Sequence, residues 1–138
     1  MRLGRLYHFA ASHRLHAPGL SQEVNRELYG KCNNPYGHGH DYTIEVALRG
    51  EVDQESGALV PVAALDRLVE SRILKHVRDG NLNLLPEFAT LVPTTENLAI
   101  VMAGWLGPAW SEAFPHGPAL EGVRIRETPR NTVEMRLA

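Results

Sequence analysis

His38-Gly39-His40 is the segment of this 138-residue chain best suited to chemistry. On a strand, residues i and i+2 point to one side, so two imidazoles at this spacing can close on one cation, and Gly39 leaves room beside them. A third nitrogen has to come from elsewhere. His13 offers one: it ends an alternating segment whose inward side carries Tyr7, Phe9 and Ala11, and it reaches His40 if that segment pairs as a long hairpin with the strand that starts at His38. Three neutral imidazoles with one free position form a catalytic zinc arrangement; imidazole also suits copper, nickel or iron, so zinc is a preference among these. Cys32 lies six positions before His38, in the loop GKCNNPYGHGHDY. A buried free cysteine is usually inert packing, whereas one in a polar, glycine-bounded loop beside a metal is a candidate base or nucleophile. The remaining histidines have bland readings. His8 faces away from His13 as a surface or interface residue, His16 and His116 fall in loops, and His76 near a helix end can interact with terminal carbonyls.

The elements that must position these groups follow from periodicity. Residues 3–13 alternate as a strand, and residues 14–37, rich in Gly, Pro and Asn, form a long functional loop with a short helix-compatible stretch from Gln22 to Tyr29. From His38 the alternation is clean: His38, His40, Tyr42, Ile44, Val46 and Leu48 share a buried side. Asp53 to Gly57 reads as a turn into a short strand, Ala58 to Val60, with Pro61 opening a helix on Val62, Leu65, Leu68, Val69 and Ile73 that stops at Asp79-Gly80. A second helix, capped by Thr94 or Thr95, buries Leu98, Val101, Met102, Trp105 and Leu106. Gly107 to Gly122 reads as a connection, and the chain closes in a hairpin that turns at TPRN between Val123-Ile125-Glu127 and Val133-Met135-Leu137. The order β-β-α-α-β-β predicts an α+β fold: one domain over residues 1–138, with a four-stranded antiparallel sheet and two helices on one face.

Composition narrows the function classes. Hydrophobic residues make up 43% and charged residues 22%, which are globular proportions, and no apolar run approaches the roughly 20 residues of a membrane span. A net charge of -2 without a basic block argues against nucleic acid. His8 and His13 interrupt the N-terminus before any secretory core, and Cys32 as the only cysteine excludes an internal disulfide, so a cytoplasmic location is expected.

FAASHRL, LYGKCNNPYGHGHDY, GEVDQESGALV, PTTENLA and RETP, in that order, closely resemble the 6-pyruvoyltetrahydropterin synthases and their bacterial relatives, the 6-carboxytetrahydropterin synthases, from about His8 to the C-terminus. The six-residue step from Cys32 to His38 leans toward the pyruvoyl enzymes. The resemblance implies the tunnelling fold, a homohexamer built as a dimer of trimers with active sites between subunits. It implies zinc on His13, His38 and His40, Cys32 as catalytic thiol, and Glu127 as the anchor of a pterin. A pterin presents a guanidine-like N–H edge that a carboxylate can meet with two bonds, and an unpaired carboxylate on the apolar side of a strand would be costly. Thr95 and Glu96 match a segment lining the pterin pocket; as residues they also suit a helix cap and a first-turn acid. The implied reaction removes triphosphate from 7,8-dihydroneopterin triphosphate, an elimination with internal redox rearrangement. The alternatives are 6-carboxytetrahydropterin synthesis, on a queuosine-type deazaguanine route instead of tetrahydrobiopterin biosynthesis, or pterin binding with little turnover.

One departure bears on catalysis. The family activates its cysteine with an Asp-His pair in a segment resembling L-D-H-x-N-L, and the matching stretch here is Val77-Arg78-Asp79-Gly80-Asn81-Leu82. Arg78 and Asp79 therefore stand where Asp and His are expected, and Pro61 replaces a further Asp. A histidine stabilises a thiolate as imidazolium while a carboxylate opposes it, which leaves Asp79 in the catalytic position, Arg78 as a compensating charge, and His76 as a substitute from a shifted position.

Overall fold

The structure, a computed structural model, describes residues 1–137. Strand β1 (Arg2–His13) and strand β2 (His38–Arg49) pair antiparallel along their full length, from Arg2 opposite Arg49 to His13 opposite His38. The predicted alternation is observed: Phe9, Ala11 and His13 on β1, and Tyr42, Ile44, Val46 and Leu48 on β2, are buried on one face. Strand β4 (Ala119–Thr128) pairs with β2, and β5 (Asn131–Arg136) with β4, both antiparallel.

The sheet has five strands where four were expected, in the order β3-β1-β2-β4-β5, and it is mixed, not antiparallel. The added strand is β3, only Gly80–Asn81, parallel to Ala11 and Ser12 at the edge of β1. Two residues carry no alternation, so periodicity could not reveal it. Its position is set by Asp79, whose φ of 54° turns the chain and whose N–H donates to the Ala10 carbonyl at 2.7 Å. Ala58 to Val60, expected as a strand, joins no sheet; the segment is held by a turn in which Asp53 N–H bonds the Ala58 carbonyl and Gly57 N–H the Asp53 carbonyl.

Helix α1 (Gln22–Tyr29), capped by the Ser21 hydroxyl, lies within the β1–β2 connection. Helix α2 (Val62–Val69) continues through a π-helical turn (Glu70–Leu74) into α3 (Lys75–Val77). Bidentate Arg5–Asp66 bonds of 2.6 and 2.9 Å, joined by Tyr7 Oη donating to Asp66 at 2.8 Å, tie α2 to β1. Helix α4 (Thr95–Ala113) begins at the predicted Thr94 cap but runs through Pro108, so the expected Gly107–Gly122 connection shrinks to residues 114–118. Pro108 removes one helical donor; burial of Ala109 and Trp110, with the indole N–H on the Pro118 carbonyl at 2.8 Å, keeps the last turns in place. Leu98, Met102 and Leu106 of α4 pack with Leu65, Val69 and Ile73 over Ile44, Val46 and Ile125 of the sheet, all fully buried.

Candidate active site

Sheet pairing alone sets the first three groups. Because His13 stands opposite His38 and His40 opposite Ala11, the three imidazoles share one face at the open end of the β1–β2 pair. The rings form a contiguous set, with centroids 4.9 Å apart for His13 and His40 and 4.7 Å for His38 and His40. His13 is 1% exposed. Its Nδ1 lies 2.9 Å from the Pro93 carbonyl, which fixes the hydrogen there and leaves Nε2 buried without a partner. Burial pushes the pKa of His13 below the ordinary histidine value, against the opposing pull of the Pro93 bond and Glu127, so the ring is a neutral donor.

The long loop brings Cys32 to this face. Buried Asn25 of α1 organises the turn before the helix, accepting from Ala17 N–H and donating to the carbonyls of Ala17, Leu20 and Ser21. A 3-10 turn (Gly30–Asn33) follows, pinned where Leu15 N–H bonds the Cys32 carbonyl at 2.7 Å and the Asn33 amide bonds the Leu15 carbonyl at 2.7 Å. Cys32 Sγ then stands 3.7 Å from His40 Nε2. Burial, and secondarily the charge of Glu127, push the thiol pKa up.

Glu127 arrives by a β-bulge. Between Arg126 opposite Thr132 and Thr128 opposite Asn131 the register shifts, leaving Glu127 as the extra residue of β4, and such bulges re-aim side chains. One carboxylate oxygen lies 3.4 Å from His40 Nε2 and the other accepts from the Thr95 hydroxyl. Burial lowers the His40 pKa despite the raising influence of Glu127, so this contact joins a neutral imidazole to a carboxylate and is not an ion pair.

His13, Cys32, His40 and Glu127 thus each bring one donor atom into a single group, all within 4.8 Å of one another. Imidazole, thiol and carboxylate are the ligand types of zinc sites, and the orphaned His13 Nε2 is the atom such a cation would satisfy. His38 stands beside this group with an exposed ring turned edge-on to His40. A cleft of about 560 Å³ opens beside Cys32 and Glu127, the two of these donors that line it, together with Thr95, Glu96, Leu15, Leu28, Tyr29, Thr94, Arg130, Asn131, Thr132 and Val133. Four residues singled out in sequence therefore face one space.

Asp79 and His76 are placed elsewhere. Asp79 is exposed and borders a shallow depression with Ser12, Gly39, His40 and Asp41, and His76 packs its ring on Trp105 at 5.2 Å; neither lines the Cys32 cleft. Arg78 is committed to a bidentate pair with Glu70, at 2.6 and 2.7 Å. Sequence reasoning missed Tyr42, Pro93 and Arg130. Tyr42 was legible, since it follows His40 by two on the same face, and its hydroxyl lies 3.4 Å from His13 Nδ1. Pro93 acts through a carbonyl, which has no residue signature, and Arg130 through its place in the β4–β5 turn.

Comparison with known proteins bears on the same residues. The family described as 6-pyruvoyl tetrahydropterin synthase matches residues 2–138. The 6-pyruvoyl tetrahydrobiopterin synthase of Poecilia reticulata is 41% identical over 133 residues, covering 96% of this chain and 87% of that protein. The Homo sapiens enzyme of that name is 38% identical over 133 residues, covering 96% and 88%. The solved structure of Caenorhabditis elegans 6-pyruvoyl tetrahydropterin synthase superposes with a TM-score of 0.88 at 40% identity, covering 100% of this chain and 96% of that one. With nearly the whole chain matched in sequence and in fold, this protein belongs to the 6-pyruvoyl tetrahydropterin synthase family.

Proposed function

We propose that this protein is a zinc-dependent carbon–oxygen lyase that converts 7,8-dihydroneopterin triphosphate to 6-pyruvoyltetrahydropterin with loss of triphosphate. The observation that carries the reading is the grouping of His13, Cys32, His40 and Glu127, two of which, Cys32 and Glu127, line a cleft large enough for a bicyclic ligand. His13 and His40, joined by His38 after rotation of its exposed side chain, would hold the cation, which supplies Lewis acidity toward the side-chain hydroxyls of the substrate. Glu127, steadied by Thr95, accepts from the N–H edge of the pterin, and Glu96 lies at the same mouth. Leu15, Leu28 and Tyr29 offer apolar surface to the ring. Cys32 is the group that moves protons at the reacting side chain.

The parts of this chain also support a slower enzyme. Family members are expected to activate the thiol with an Asp-His pair, yet here Arg78 is bound to Glu70 and Asp79 is exposed outside the cleft. That arrangement favours a second reading: a pterin-binding homologue with weak or altered turnover, including 6-carboxytetrahydropterin formation. Incubating the zinc-loaded protein with 7,8-dihydroneopterin triphosphate and identifying the product separates the readings. 6-Pyruvoyltetrahydropterin supports the first, a carboxylated pterin or tight binding without product the second.

The assembly in this proposal is a homohexamer, a dimer of trimers, working in the cytoplasm. Its support is the edge of β1: β3 pairs only with Ala11 and Ser12, so the outer edge from Arg2 to Phe9 has no strand partner among the described residues, and such edges invite pairing with another copy. No helix among the described residues is long and apolar enough to cross a membrane.

A further inference from the structure

The cleft beside Cys32 has two unlike walls. Its loop side carries Leu15, Leu28 and Tyr29 with Cys32, and its hairpin side carries Glu127, Arg130 and Asn131 around the β4–β5 turn. Glu96 and Glu127 are acids, and Arg130 is the one cation among the described residues that line the space. Lys31 and Arg14, next in sequence to Cys32 and Leu15, do not line it, and Arg14 Nε donates to the Asn33 carbonyl at 3.3 Å. Arg130 is anchored and yet uncommitted. Pro129 fixes its own φ in the turn, and the Arg130 backbone N–H donates to the Thr128 hydroxyl at 3.2 Å, while the exposed guanidinium has no acceptor among the described residues. On the sheet, by contrast, Arg2, Arg49 and Arg124 are each paired with Glu45 or Glu121. Nor does Glu127 take Arg130, because its oxygens are turned to His40 and Thr95.

The proposed substrate would bring a triphosphate, with several negative charges, into a cleft that already holds two carboxylates. Partial exclusion of water strengthens that repulsion, so the phosphate chain needs a cation of its own. A guanidinium meets phosphate oxygens with paired N–H bonds and stays charged at any working pH. We propose that Arg130 binds the triphosphate group of the substrate and so selects the phosphorylated pterin over its unphosphorylated form. This rests on the pterin reading above and adds to it the residue that recognises the leaving group. Asn131 and Thr132, which follow Arg130 in the turn, bring an amide and a hydroxyl to the same rim.

Neopterin and neopterin triphosphate with fully oxidised rings differ only in the phosphate chain, and fluorescence titration of both into the zinc-loaded full chain tests the assignment without turnover. The parent protein should prefer the triphosphate by about 10-fold or more, and raised salt should shrink that preference. Arg130→Ala should lose most of the preference while its affinity for neopterin falls far less, and Arg130→Lys should keep part of it. Equal affinities in the parent, or an unchanged preference in Arg130→Ala, would overturn the proposal and leave the pterin reading standing. A preference lost in Lys31→Ala but kept in Arg130→Ala would move the subsite to the loop wall and overturn it as well. Failure of both pterins to bind the parent would overturn the pterin reading and this proposal together.

Discussion

His13 carries more of the site than its position at a strand end suggests, because the Pro93 carbonyl fixes its tautomer and burial keeps it neutral. His13→Ala and His40→Ala should each weaken zinc binding by at least the ~10–100-fold that changes in second-shell partners cost, as read by elemental analysis after dialysis. Undiminished zinc in both variants would remove the site from this face. Glu127→Gln should lower affinity for neopterin by roughly 10-fold or more, since one charged acceptor is lost and an amide N–H can face the pterin's own N–H edge. Titration of the zinc-loaded variant reads this directly, and unchanged affinity would place the pterin elsewhere. Much of the residue-scale picture was legible. His13, His38 and His40 share a face because strand period is two, and Cys32 stood out by its loop. The aim of Glu127 depends on the bulge between Arg126 and Thr128, a feature of pairing between two strands that neither strand shows alone.

Elements decide what the thiol lacks. The π-helical turn at Glu70–Leu74 and the short α3 after it end in an Arg78 bound to Glu70 and an Asp79 in the left-handed region. In the proposed hexamer, whose active sites lie between subunits, restoring the family's pair with Arg78→Asp and Asp79→His should raise synthase turnover in steady-state assays, because within one subunit residue 79 lies outside the Cys32 cleft and can serve only a neighbouring copy. His, like Asp, tolerates the φ of 54° at residue 79 better than a branched residue would. A robust parental rate that falls with His76→Ala would instead transfer the activating role to His76. The helix-to-sheet tie through Asp66 makes a separate prediction. The Arg5 guanidinium, and secondarily Tyr7, hold the Asp66 carboxyl below its usual pKa. A carboxyl depressed on folding contributes stability that is present above its unfolded value and lost as pH falls through the folded one. Asp66→Asn should therefore flatten the acid limb of a denaturation-against-pH profile and change little near neutrality beyond a constant offset. Element existence was readable from period and caps, element extent less so. Gly104, Gly107 and Pro108 mark a stop in local terms, yet α4 continues because Trp110 is worth more buried than the missing hydrogen bond.

At the scale of the molecule, one core joins sheet and helices, and Leu106 sits in it at 0% exposure. Leu106→Ala should cost about 2–5 kcal/mol in denaturant unfolding without altering metal stoichiometry, since it empties space far along α4 from the donors. The fifth strand and the mixed topology could not be read ahead, because β3 exists only through the geometry of Asp79 and the edge of β1.

The four converging donors come from β1, the loop after α1, β2 and β4, segments distributed over nearly the whole sequence. An ion bound there acts as a removable cross-link, closing loops of the kind a disulfide would close, in a chain whose single cysteine rules that bond out. Zinc at 100 times its dissociation constant would add about 2.7 kcal/mol, or roughly 9 °C in melting temperature for a chain of this size, and calorimetry with and without chelator measures the difference. Metal supply would then govern the lifetime of the protein as well as its chemistry, with the metal-free chain the form most exposed to proteolysis.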